Sequence, residues 1–314
     1  GILLHGGHGT RLRPLTHTGP KQLLPIANQP MSQYCIESMK NAGVTEIAVI
    51  IGGIGANKVK EYYGSGERFG VKIEDGAYWL SNKILGTQNE PVISKWAEDL
   101  VHLEVTGGEP MASPENIKIL ELLVKSGRAS EITILLNTNG TLYNTKFINL
   151  LLRFKRVTLC VSIDDLYERL EYERYPTEWK TIEQNLEKFL KLQQENTNLS
   201  LVLCPTVSNF NVYYLPEYRE WAEKLQIHPY YNILHYPPSH SIKNLPDTIK
   251  NIVAERLSSR EFTEVKRFML LDKENEHLIQ DFIKTTSDLD KYRQQSFEKT
   301  FGDWGKLVME YKNG

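Results

Sequence analysis

Residues 6–25, GGHGTRLRPLTHTGPKQLLP, are the first stretch whose residue types could do chemistry. Gly6, Gly7 and Gly9 admit positive φ and close backbone approach, so successive N–H groups can point at phosphate oxygens. Arg11 and Lys21 add charge that neutralises a triphosphate or stabilises a leaving pyrophosphate. Taken alone, a short glycine loop reads equally well as a turn. A second set begins at Gly107-Gly108-Glu109-Pro110, directly after an apolar LEVT. Two glycines let the backbone bend past a ligand, and Glu109 can accept from an ammonium group; by itself, a turn with a solvated glutamate is the simpler reading. NTNG (137–140) and VSIDD (161–165) close the next two candidate strands. Polar groups thus gather at the C-terminal ends of three successive strands, where parallel α/β folds collect their sites. In VTLCVSID, Val157, Leu159, Val161 and Ile163 share one face, and Thr158, Cys160, Ser162 and Asp164 the other. If the second face lines a barrel, Ser162 and Asp164 lie at its mouth with Cys160 deeper. A converging polar set of this kind is what a small polar ligand requires.

The elements that must position these groups alternate. Residues 2–4 read as a short strand, 32–41 as a helix stopped near Gly43, 46–51 as a buried strand, and 58–63 as a helix closed by Gly64. Residues 74–100 have no sustained period and read as a junction with one helix around 94–99. From Val101 the rhythm is regular, with strands expected at 101–106, 131–138, 157–164, 199–207 and 230–234. Helices are expected between them at 114–126, 145–154, 179–195 and 215–225, the first with Ser113 as N-cap and Pro114 in its first turn. Five strands alternating with four helices imply a parallel barrel or open sheet with right-handed crossovers. Beyond Pro246 the chain reads as charged helix.

Length and composition fit a folded α/β chain: 314 residues, 40% hydrophobic and 24% charged. A net charge of -2 gives no electrostatic reason to expect nucleic acid or an anionic membrane as partner. No apolar run approaches the ~20 residues that span a bilayer, and no signal peptide is visible. The sequence opens at Gly1 rather than methionine, which suggests a clipped N-terminus. Three scattered cysteines make no disulfide framework, and a reducing cytoplasm is the expected compartment. Cys160 and Cys204 read as small buried hydrophobes within strands. The histidines of the first loop (His5, His8, His17) and of the 235–240 segment show no metal-binding spacing.

The first block resembles sugar-1-phosphate nucleotidylyltransferases of the glucose-1-phosphate thymidylyltransferase type. The similarity runs from the glycine loop through PIANQPM, the following helix, EIAVIIGG and ERFGVKI, covering residues 1–73. It implies that Gly7, Gly9, Thr10 and Arg11 form the nucleotide phosphate loop with Lys21 facing the phosphates, and that magnesium accompanies a bound nucleoside triphosphate. His5 stands where many members have alanine. In that family the sheet continues past residue 73 and brings an aspartate for magnesium and a sugar pocket, neither of which is read here. Nucleotide binding is therefore expected, and turnover is not.

GGEP, NTNG and VSID, in that order after successive strands, resemble the radical SAM superfamily. The segments around 154–157 and 175–185, then TVSNFNVYYLPEYREWAE, NILHYPPSHSIKNLP and DKYRQQSFEKTF, resemble its twitch-type members over about residues 96–304. This implies S-adenosylmethionine as cofactor, its amino group held by Gly107, Gly108, Glu109 and Pro110, with Asn139, Ser162 and Asp164 near its carboxylate or ribose. It also implies a [4Fe–4S] cluster on a CxxxCxxC loop, which this chain lacks. The expected fold is α/β: a partial Rossmann-like nucleotidyltransferase unit (1–73), a junction (74–100), an incomplete radical SAM (β/α) partial barrel (101–245) and a helical C-terminal tail (246–314). A fusion or chimeric reading frame accounts for both halves. The expected function is S-adenosylmethionine binding without a catalytic cluster. The alternatives are a sugar-1-phosphate nucleotidylyltransferase and a non-enzymatic binding module.

Overall fold

The computed structural model describes residues 2–5, 23, 25–26, 29–51, 56–73, 78–80, 97–106, 108–271 and 276–311. By packing, the chain divides into one unit of Gly1–Thr133 with Thr145–Lys155, and a second of Ile134–Asn144 with Arg156–Gly314.

In unit one, strand β1 (Ile2–His5) lies parallel to a later strand across an antiparallel ribbon of β2 (Pro25–Ile26) and β3 (Gln29–Pro30) and helix α1 (Met31–Asn41). That partner is β4 (Ala48–Ile51), which pairs Leu3 with Val49. Gly43, at φ 84°, takes the left-handed conformation that ends α1. Helix α2 (Ala56–Tyr63) then returns, and Ile36, Val49, Val59, Tyr63, Val71 and Ile73 close the core. Burial pushes the Tyr63 phenol up to about 12, although its oxygen sits 2.5 Å from Ser32 Oγ.

The expected junction holds a strand. Segment β5 (Tyr78–Leu80) pairs parallel with β4, giving the order β1-β4-β5. Three residues are too few to show a period, so the sequence hides it. Residues 97–99 are helical. Strand β6 (His102–Val105) follows, and the Val101 carbonyl accepts from Thr133 N at 2.9 Å. Ser113 caps α3 (Pro114–Lys125) by accepting from Asn116 N at 3.3 Å, as the Ser-Pro pair implies. Helix α4 (Thr145–Leu151) belongs to the same unit.

Unit two is built on β7 (Thr133–Thr138), β8 (Arg156–Val161) and β9 (Leu199–Leu203), hydrogen-bonded in that order. β8 and β9 run parallel, with Val157 opposite Leu199 and Val161 opposite Leu203. Val157, Leu159 and Val161 of β8, with Ile163 just past it, are at most 1% exposed, while Cys160 and Asp164 of the other face are buried as well. Helix α5 (Tyr167–Glu173) has no signal in the sequence, since YERLEYE buries only Leu170 and Tyr172 and carries no apolar period. Helix α6 (Trp179–Glu195) is where the pattern placed it and buries Trp179, Ile182, Leu186 and Phe189 along one stripe. Each such side chain contributes ~1.5–3 kcal/mol of burial.

The single strand expected over 199–207 breaks at Pro205, which has no N–H for a ladder. A separate parallel pair, β10 (Thr206–Val207) with β11 (Asn232–Ile233), follows the break, with α7 (Leu215–Lys224) between. The described elements of the expected tail are helices: α8 (Asp247–Arg256), α9 (Thr263–Met269), α10 (Glu276–Arg293), α11 (Phe297–Thr300) and α12 (Gly302–Glu310). It is no loose appendage. Trp304, fully buried, stacks on Tyr213 and donates from Nε1 to the Asn209 carbonyl at 2.9 Å. Tyr172 donates to Asp290 Oδ1 at 2.7 Å, and Asp290 in turn accepts from Phe297 N, the start of α11.

Candidate functional site

Of the first loop, Gly7, Gly9, Thr10, Arg11 and Lys21 lie outside the described residues. β1 carries the chain into it at His5, on the carboxyl end of a parallel strand, where α/β folds place phosphates.

Gly107 also lies outside the described residues. Gly108 has a φ of 49°, in the left-handed region that favours glycine. Half-buried Glu109 accepts from Met111 N through Oε1 at 3.1 Å, capping a short 3-10 turn that opens with buried Pro110. The proline presets φ, and the glutamate fixes the turn that presents its own carboxylate.

In unit two, Asn139 follows β7 and forms an Asx turn, its Oδ1 accepting from Thr141 N at 2.9 Å and Thr141 Oγ1 at 2.6 Å. Gly140 (φ 74°) carries the chain through this corner, and a Cβ there would meet Val161 Cγ1 at 3.2 Å. Buried Asn185 on α6 holds the corner by donating to the Gly140 carbonyl at 3.0 Å. β8 ends at Val161, so Ser162 and Asp164 lie just past it. Ser162 N donates to the Thr138 carbonyl at 2.8 Å, which brings Ser162 and Asn139 to adjacent strand ends. Asp164 is committed to the fold: Oδ2 pairs with Arg174 Nε at 2.7 Å, and Oδ1 accepts from Thr206 N at 2.8 Å. Glu109 belongs to unit one and the other three to unit two.

Sequence reasoning passed over the groups around Asp164. Asp165 is 1% exposed and accepts from Leu166 N and Arg169 Nε; burial pushes its carboxyl up to about 7 against the pull of Arg169. Arg169 also pairs with Glu217 at 3.0 Å and lies 3.9 Å from the centre of the Tyr214 ring. Burial, then the like charges of Asp165 and Asp164, hold Glu173 well above the usual carboxylate range. Asn211 Nδ2 bridges the Asp164 carbonyl, the Thr206 carbonyl and Glu173 Oε2. The i,i+4 spacing of Asp165 and Arg169 was a readable signal; nothing in the sequence marked Asn211.

The three cysteines do not fit an iron–sulfur cluster. Cys160 and Cys204 are 6% and 7% exposed in unit two, and a hydrogen bond with Cys160, then burial, pushes the Cys204 thiol far up, away from the thiolate a cluster binds. Cys35 is exposed on α1 of unit one. Among the described residues, no group of three or more His, Cys, Asp or Glu is arranged to hold a metal ion.

A parallel sheet in unit one, and a later run of polar turns at the ends of parallel strands in unit two, define an α/β chain. Comparison with known proteins assigns each region. Residues 1–93 match the nucleotidyl transferase family and residues 92–211 the radical SAM superfamily, so this is a two-part chain. The first match runs past Ile73 to the point where the second begins. The low-salt glycan biosynthesis nucleotidyltransferase Agl11 of Haloferax volcanii is 53% identical over 73 residues, covering 23% of this chain and 20% of that protein. A glucose-1-phosphate thymidylyltransferase of Streptomyces griseus is 39% identical over 94 residues, covering 30% and 25%. The chain thus spans a quarter or less of the length of these relatives. A structure of Streptococcus suis SuiB bound to S-adenosylmethionine aligns with 67% of this chain and 48% of its own, at 14% identity and a TM-score of 0.39.

Proposed function

We propose that the chain binds S-adenosylmethionine through its second part and does not assemble the [4Fe–4S] cluster that would make that cofactor a radical source. Gly107, Gly108, Glu109 and Pro110 receive the methionine amino group; Asn139, Ser162 and Asp164 serve its carboxylate or ribose. The observation that carries the reading is the cysteine set: a segment matching radical SAM proteins contains only two cysteines, both buried, one of them held as a thiol by the other. The first part keeps a nucleotide phosphate loop in Gly7, Gly9, Thr10, Arg11 and Lys21. No described helix is long and apolar enough to cross a membrane, and free thiols suit a reducing cytoplasm.

Calorimetry of the full chain tests the binding, with Glu109→Gln as its control. Glutamine keeps the acceptor that caps Met111 and removes the charge, so affinity should fall about 10-fold or more for a lost charge-assisted bond of ~1.5–3 kcal/mol. An unchanged affinity, or no binding by the parent chain, overturns the assignment. Anaerobic iron–sulfide reconstitution tests the second clause. A stable cluster that cleaves S-adenosylmethionine on reduction would refute it.

The 53% identity of the first part to a nucleotidyltransferase favours a second reading, in which the chain transfers a nucleotide to a sugar 1-phosphate. Magnesium-dependent pyrophosphate release from dTTP and glucose 1-phosphate would establish it. Binding of both nucleotide and S-adenosylmethionine with no turnover would identify a binding module instead.

A further inference from the structure

Two carboxylates, Asp165 just before α5 and Glu173 at its last residue, are unevenly served. Asp165 spends Oδ1 on Leu166 N at 2.7 Å and Arg169 Nε at 2.9 Å, while its Oδ2 is buried with no hydrogen-bond donor. Glu173 receives one long bond at Oε2, from Asn211 Nδ2 at 3.4 Å, and its Oε1 is also buried without a donor. A buried acceptor with no donor is rare in a folded protein and calls for an explanation.

The groups that face these two carboxylates supply none. Arg174 is directed to Asp164, and Arg169 is divided between Asp165 and Glu217. Tyr214 donates to the Phe301 carbonyl and Tyr218 to the Ile163 carbonyl. Asn211 gives its remaining bonds to the carbonyls of Asp164 and Thr206. Four carboxyl groups (Asp164, Asp165, Glu173, Glu217) therefore share two guanidinium groups. Like carboxylates held together out of water cannot all ionise. A proton on one of the two orphaned acids removes a charge that the two guanidinium groups do not neutralise.

We propose that Asp165 and Glu173 form a proton-binding site, in which Glu173 Oε1 carries a proton at neutral pH and donates it to Asp165 Oδ2. Glu173 is the holder because Asp165 has Arg169 bonded to its carboxylate and Glu173 has no cation bonded to it. The protonated pair ties Asp165, just before α5, to the last residue of that helix and, through Asn211, to the 206–211 segment that also anchors Asp164. Loss of the proton in alkali sets two buried charges against each other and loosens that tie. The site is independent of what the chain binds.

The test is ¹³C NMR of the full chain labelled at the aspartate and glutamate carboxyl carbons. One glutamate should stay protonated at neutral pH, far above the range in which exposed glutamates titrate. That signal should vanish in Glu173→Gln, whose amide supplies a donor to Asp165 in place of the acid. The proposal is overturned if every glutamate is ionised at neutral pH, or if the protonated signal survives in the variant. Should Glu173→Gln fail to fold, the titration of the parent chain still decides: no retained proton, no site.

Discussion

Asp165→Asn should change how stability depends on pH more than it changes stability at any one pH. Burial raises the Asp165 carboxyl from its ordinary 3.8 to about 7. Below pH 3.8 the group is protonated in folded and unfolded chains alike, and it favours neither. Between that pH and about 7 the unfolded chain releases the proton while the folded chain keeps it, so the folded state loses stability as pH rises. Above about 7 both forms are ionised and the loss is complete. At ~1.4 kcal/mol per pH unit, holding the proton across this window corresponds to a loss on the order of 4 kcal/mol. Asparagine keeps an acceptor for Leu166 N and Arg169 Nε and has no proton to lose. The stability of the variant relative to the parent should therefore climb by a few kcal/mol from acid to mild alkali, most of it before neutrality. Urea unfolding followed by tryptophan fluorescence is a suitable assay, because Trp179, Trp221 and Trp304 lie in unit two, three of the five in the chain. Parallel stability–pH curves for parent and variant would sink the argument, because they would mean that Asp165 ionises as readily folded as unfolded.

Three further outcomes are expected. Gly140→Ala forces a left-handed conformation on a residue with a Cβ and crowds Val161 at 3.2 Å; it should cost ~1–2 kcal/mol in unfolding experiments. Trp304→Phe leaves the buried Asn209 carbonyl without its indole donor and should lower stability by about 1–3 kcal/mol, read as a lower denaturant midpoint. Brief treatment of the native chain with iodoacetamide should label Cys35 and spare Cys160 and Cys204 until the protein is unfolded, as mass spectrometry of the peptides would show.

The parts of the fold that the sequence makes legible are those whose burial follows a period. β8 is read from its two-residue alternation, α6 from an apolar stripe, and α3 from the Ser113-Pro114 start, because each signal is local. What escapes is short or depends on distant partners. β5 is three residues long and finds its meaning only beside β4. α5 carries one fully apolar buried residue and is held instead by polar bonds to elements far along the chain, such as Tyr172 to Asp290. The candidate site divides in the same way. Gly108, Glu109, Asn139 and Ser162 could be named from their positions at strand ends, whereas the partners that fix them could not: Asn185 reaches Gly140 across 45 residues, and Asn211 reaches Asp164 across 47. Asparagine has no periodic signature, and nothing in the residues near Asn211 marks it as a bridge.

Asp164 is a scaffold residue proposed also to meet the ligand, and the two roles can be separated. Its carboxylate has about four acceptor positions, of which Arg174 Nε and Thr206 N take one each. A ribose hydroxyl can still donate to either oxygen, so commitment to the fold does not exclude contact with a ligand. Asp164→Asn would keep one acceptor but turn an amide N–H toward Arg174, removing a charge-assisted bond that contributes ~1.5–3 kcal/mol. Stability should fall by that amount under either role. Affinity for S-adenosylmethionine discriminates: if the carboxylate receives a ribose hydroxyl, calorimetry on the folded variant should show binding weakened about 10-fold or more, the same free energy expressed in Kd. Comparison with Arg174→Met, which breaks the same ion pair from the other side, removes the ambiguity. Both variants disturb the fold, but only the first touches the acceptor. Equal affinities in the two would mean that Asp164 merely holds the 206–211 segment in place.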